Sequence, residues 1–277
     1  MRRWIAAAAV GLAAVITSVV PTTATALPLA PAPVAPVTGI PTPCASTVPF
    51  PEGATIAELQ AGITEHFGFA LTGSQWTEER RASIKILWQT LDAMDCTTYR
   101  TDLQAKVGGN VGLNAASISG YAWGDWSLTK GGYVTFDFSK FQKALDSGDE
   151  GRLTRLVAHE LAHVLNSDRY EEPAYWQAFK TLYAQEGSFS SYAGSSVTET
   201  FADVVGYYVG RCALENPYDT GKFGAYYDFA KTQVFGGKEF GPAPGQEINC
   251  TVPSADAEVP QPGAEPAAAW LEGLAGE

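Results

Sequence analysis

Residues 152–166, RLTRLVAHELAHVLN, admit few arrangements. Leu153, Leu156, Val157, Leu161, Val164 and Leu165 recur at helical spacing and form one apolar stripe, which must lie against a core. At about 100° per residue, His159 and His163 fall about 40° apart and mostly off that stripe. Their i, i+4 spacing stacks them one turn apart, so both imidazoles can reach one ion at about 2.0–2.1 Å. Glu160 lies between them. In an H-E-x-x-H site it does not bind the metal; it takes a proton from the attacking water and returns it to the leaving amine. The plain alternative is two solvent-facing histidines beside an ordinary surface glutamate.

A metal site needs a third ligand. H-E-x-x-H-x-x-G-x-x-H proteases take it from a histidine further along the motif, but Asn166 and Arg169 occupy the glycine and histidine places here. The only methionines are Met1 and Met94, so no methionine turn follows. That class is excluded. The remaining histidine, His66, lies far upstream and is expected to be structural. Glu199, in TETFAD, is the leading candidate, with Asp203 at i+4 on the same helical face. One carboxylate can complete the tetrahedron while the other accepts a hydrogen bond from a ligand histidine. Ser196-Val-Thr-Glu199 also spells a capping box, in which Glu199 would serve only the helix start. Glu171 and Glu172 are the runners-up.

Export fits such a site. Arg2 and Arg3 precede an apolar run from Trp4 to Val20, and Ala24-Thr25-Ala26 fits a small-x-small cleavage pattern, so residues 1–26 read as a signal peptide. An uncleaved anchor is the alternative. Residues 27–43 form a proline-spaced linker, and residues 251–277 read as a disordered acidic Pro/Ala-rich tail. Between them, residues 44–250 are long enough for one domain with a substantial core. The formal charge of −12, with scattered basic residues, argues against nucleic acid as a partner. With the leader removed, no membrane association is expected, and the protein should be a released monomer.

Four cysteines, Cys44, Cys96, Cys212 and Cys250, read as two disulfides in an exported chain, and three pairings are possible. Cys44–Cys96 and Cys212–Cys250 are favoured, because each ties a segment near a tail to a helix end.

The pattern along the domain is α+β. TIAELQAGITEHF and TEERRASIKILWQTLDAM carry apolar residues at helical spacing, the second with Thr77 as a possible cap. VGLNAASISGYAW and GGYVTFDF are glycine-bounded and rich in β-branched and aromatic residues, as strands are. The second could be a sheet edge that accepts a substrate strand, or an interior strand. Ser139 can cap a short helix after it. From Gly151 onward the chain reads as helical: the motif helix, EEPAYWQAFKTLYAQ, the loop EGSFSSYAGSS, VTETFADVVGYYVGRC, and an aromatic-rich helix near 221–235.

HELAHVLN, YWQAFKTLYAQEGSFSSYA and TETFADVVGYYV together resemble the catalytic half of anthrax lethal factor-like metallopeptidases, which include the secreted Pro-Pro endopeptidases. The likeness covers residues 155–210 and extends weakly upstream to about 110. Tyr192 stands seven residues before Glu199, as in the family pattern. The resemblance implies that His159, His163 and Glu199 bind zinc, that Glu160 is the base and that Tyr192 stabilises the oxyanion. Ala162 replaces a frequent glycine. Asp203 stands where the family usually has glutamate, which shortens its reach by one methylene.

The expectation is therefore a secreted, zincin-like α+β domain of the gluzincin type, with a small twisted sheet upstream and a helical lower half carrying Zn2+. It would hydrolyse peptide bonds in a protein or peptide substrate. A thermolysin-like gluzincin outside this family shares the ligands but has a shorter interval before the glutamate. A zinc-stabilised binding module without turnover is a different class; an intact Glu160 speaks against it.

Overall fold

Thr55 starts the first helix. Its hydroxyl accepts from the Glu58 N–H while the Glu58 carboxylate accepts from the Thr55 N–H at 2.7 Å, a reciprocal cap. The helix, α1 (Ile56–Phe67), ends at Gly68 in the left-handed region. The computed structural model describes residues 43–127 and 133–246, with Ile248 and Cys250. The expected leader, the linker apart from Pro43, and the tail lie outside the described residues. Everything described belongs to one compact unit.

Four short strands follow the order β1-β2-β4-β3. β1 (Phe69–Gly73) pairs in parallel with β2 (Val111–Ala115), and β2 with β4 (Val134–Phe136). The connection from β1 to β2 carries α2 (Arg81–Met94) and α3 (Tyr99–Val107), as a parallel pair requires a long crossover. β2 and β4 are buried almost throughout, as strands covered on both faces are. β4 is thus the strand within GGYVTFDF, and it is interior. The edge beyond β4 is β3 (Gly124–Trp126), antiparallel to β4 and half-buried, and β1 forms the opposite edge. Lys140 holds the loop leading into β3, donating to the carbonyls of Ile118, Gly120 and Ala122 at 2.7–2.8 Å.

Asp137, not Ser139, caps α4 (Phe138–Asp146). Its carboxylate is 2% exposed and joins three separate segments. It accepts from the Ser139 N–H and hydroxyl, from Gln75 Nε2 at 3.0 Å beyond β1, and from the Ile118 N–H at 3.0 Å beyond β2. Burial opposes its ionisation, but these donors and nearby Lys140 outweigh burial and hold its carboxyl below the usual range. Asp137→Asn turns an N–H2 toward some of these donors and should cost about 2–3 kcal/mol at pH 7, measured by urea unfolding. A depressed folded-state pKa contributes fully above the unfolded value of about 3.9 and is lost as pH falls through the folded value. The gap between variant and parent should therefore close in acid.

Thr77 makes no side-chain cap; a 3-10 turn at Glu78–Arg80 leads into α2 instead. The remaining helices are α5 (Glu150–Leu165), α6 (Ala174–Glu186), α7 (Val197–Val209) and α8 (Gly224–Phe229), the last continuing as a π-helical turn over Ala230–Val234. α5 packs against α2, α3, α4, α7, β3 and β4. Every residue from Leu156 to Leu165 is buried. Disulfides join Cys44 to Cys96, just beyond α2, and Cys212, just beyond α7, to Cys250. Among the described residues, no helix is long and apolar enough to cross a membrane.

Candidate metal centre

The packing of α7 removes the plain alternative of two solvent-facing histidines. That helix lies across α5 and covers them, leaving His159 and His163 each 2% exposed. Ser196 caps α7, its hydroxyl accepting from the Glu199 N–H at 3.2 Å. Only that half of the capping box forms. The Glu199 carboxylate turns instead to α5, with Oε2 3.3 Å from His159 Nε2 and 3.5 Å from His163 Nε2.

One ligand atom from each of these three residues lies within 4.8 Å of the others, so the group could hold a metal ion. Glu199 Oε2 is buried and makes no hydrogen bond among the described residues. An unsatisfied buried carboxylate oxygen is costly, and two imidazole nitrogens beside it are acceptors unless protonated. A divalent cation satisfies all three. The residues present fit one.

Asp203, one turn further along α7, is fully buried, with Oδ1 2.9 Å from His159 Nδ1. It also accepts from the Arg155 guanidinium and the Ser190 hydroxyl. Burial disfavours its charge, but Arg155 and His159 keep it a carboxylate. With Nδ1–H donated to Asp203, Nε2 is the ring nitrogen that faces Glu199, and its lone pair is the one a metal would take. Among the protein groups alone, burial acts to lower the His159 pKa, yet Asp203 and Glu199 push it up to about 9. His163 moves the other way, lowered by burial and by His159. Its Nδ1 has no hydrogen-bond partner among the described residues, and its ring stacks on Trp126 of β3 at 5.3 Å and 12°.

Glu160 is 6% exposed, and burial raises its pKa to about 7, with Glu199 and Asp125 adding to the rise and His159 and Arg155 opposing it. It packs against the sheet edge. A Cβ at Gly124 would come within 2.4 Å of Glu160 Oε1, so only glycine lets β3 approach this closely. Tyr192 sits in the loop between α6 and α7, its ring centroid 5.8 Å from that of His159 and the Arg155 guanidinium 5.6 Å over it. Burial, then the nearby carboxylates of Glu199 and Glu160, hold its phenol protonated.

The other sequence candidates lie elsewhere. Glu171 is exposed and Glu172 pairs with Lys180. His66 is exposed on α1, edge-on to Phe67 and Trp88. Four site residues escaped the sequence reading: Arg155, Ser190, Gly124 and Trp126. Arg155 had a signal, since it precedes His159 by four and shares its helical face. The others depend on how distant segments meet. Comparison with family models, with curated proteins and with solved structures returned no match.

Proposed function

We propose that this chain is a secreted zinc-dependent endopeptidase with a zincin-like fold, akin to the anthrax lethal factor-like peptidases its motifs resemble. The observation that carries the reading is the convergence of His159, His163 and Glu199 beside a buried Glu160. Two imidazoles and one carboxylate suit Zn2+ with a coordination position left open. Bound there, zinc would polarise the scissile carbonyl and make a water acidic enough to attack at neutral pH. Glu160 takes that water's proton and passes it to the leaving amine; a carboxyl raised toward 7 suits both steps. Tyr192, kept protonated, donates to the oxyanion. Substrate in extended form adds along β3, whose Gly124 lies against Glu160. The leader motif and the two disulfides support export.

Purified mature protein should cut a broad peptide library, stop with chelator and resume when Zn2+ is restored. Cleavage indifferent to chelator would overturn the reading. Zinc binding with no cleavage would instead leave the binding module.

Tyr192→Phe should bind zinc normally and turn over roughly 10²–10³ more slowly, the usual cost of one oxyanion donor. Steady-state kinetics on a fully metallated variant checks this; an unaltered rate would remove Tyr192 from the mechanism and the family likeness with it.

A further inference from the structure

Asp203 and Gly206, at i and i+3 on α7, share the face turned to α5, and Gly210, which ends the helix, also lies against it. Neither glycine has room for a side chain. A Cβ at Gly206 would meet the Arg155 carbonyl oxygen at 2.8 Å and His159 Cβ at 3.1 Å. At Gly210 it would meet the Arg155 Cβ, Cα and N at 2.6–2.7 Å. The helices therefore touch backbone to backbone at the turn that carries His159. Asp203, the shorter acidic side chain, crosses the remaining gap to His159 Nδ1 at 2.9 Å. Arg155 and Ser190 fill the space on its other sides.

We propose that Gly206 is a positioning residue for the metal centre. It sets the spacing between α5 and α7 at which a carboxylate as short as that of Asp203 orients His159. The magnitudes agree. Ordinary contact begins near 3.4 Å, so an alanine at 206 forces the helices apart by about 0.6 Å. The 2.9 Å bond would then stretch to about 3.5 Å, the outer limit for a hydrogen bond. A glutamate at 203, longer by a carbon–carbon bond of about 1.5 Å, is too long for the native spacing, and the widened one takes up part of that excess. The inference rests on the metal-centre reading of His159.

Gly206→Ala, Asp203→Glu and the double variant test it with two readouts. The imidazole 1H and 15N resonances of His159, recorded on metal-free protein, report the Nδ1–H bond to residue 203. Competition with a chromophoric chelator reports Zn2+ affinity. Each single variant should lose the low-field Nδ1–H signal and bind zinc at least about tenfold more weakly, as loss of such an orienting partner does. The double variant should recover part of the signal and bind zinc more tightly than either single variant. Single variants with parental signal and affinity would overturn the proposal, as would a double variant whose losses multiply. If Gly206→Ala does not fold, Asp203→Glu alone decides: parental behaviour means the spacing is not set as argued. A parent protein that binds no zinc would remove the metal centre, while the His159 resonances still decide how residue 203 is placed.

Discussion

Glu160→Gln is expected to retain zinc and lose peptide hydrolysis by at least about 10³-fold. Glutamine matches the shape of glutamate, so the contact with Gly124 survives and β3 keeps its place beside α5. The amide cannot take a proton from water, and general acid–base groups contribute roughly 10²–10⁴. In the proposed mechanism one residue serves both proton transfers, which places the loss in the upper part of that range. Because the side chain is not a ligand, metal content should match the parent. Stability should not fall, since a buried carboxyl that resists ionisation is replaced by a neutral group. Turnover measured alongside metal analysis separates these outcomes. Substantial cleavage by a pure variant would place the base elsewhere.

The second large effect is on the metal itself. Zinc sites bind with about 10–16 kcal/mol, so one ligand of four accounts for about 2.5–4 kcal/mol, or roughly 10²–10³ in affinity. Glu199→Ala should lose that much, measured by chelator competition. The helix start should be untouched, because Ser196 accepts from the backbone N–H of residue 199, which alanine also has. Full zinc occupancy with a lowered melting temperature would be the signature of a cap and would refute the ligand role. Without metal, Asp203 and Glu199 outweigh burial and push the His159 pKa up to about 9, which favours a proton on its ring. Zinc uptake must displace it, so apparent affinity should climb as pH rises toward that value.

Much of this centre was written locally. His159, Glu160 and His163 are spaced by a single helix turn, and Glu199 and Asp203 by another, so helical periodicity alone puts each set on one face. The cysteine pairs were equally accessible, since each joins a helix end to a nearby tail. What escaped was long-range. Two solvent-facing histidines stayed open as an alternative because the pattern of α5 holds no record that α7 lies across it. The β3 strand has three residues, too few to show alternation, so neither Trp126 nor Gly124 stood out. Whether β4 is interior depends on what pairs beyond it, and that is decided by chain segments far from its own sequence. Asp137 displaced Ser139 as a cap because its carboxylate also bonds distant Gln75 and Ile118.

The two disulfides have a consequence for how such a protein would age where proteases act on it. A cut between Cys212 and Cys250, or between Cys44 and Cys96, leaves the two pieces covalently joined. Between Cys96 and Cys212 no bridge crosses the chain, and that stretch holds His159, Glu160, His163, Tyr192 and Glu199 together. A single nick in the loop between α6 and α7 would part the histidines from Glu199 with only packing left to hold them. Durability is thus unequal along the chain: the ends are stapled, and the middle relies on the connections between α5, α6 and α7 staying whole.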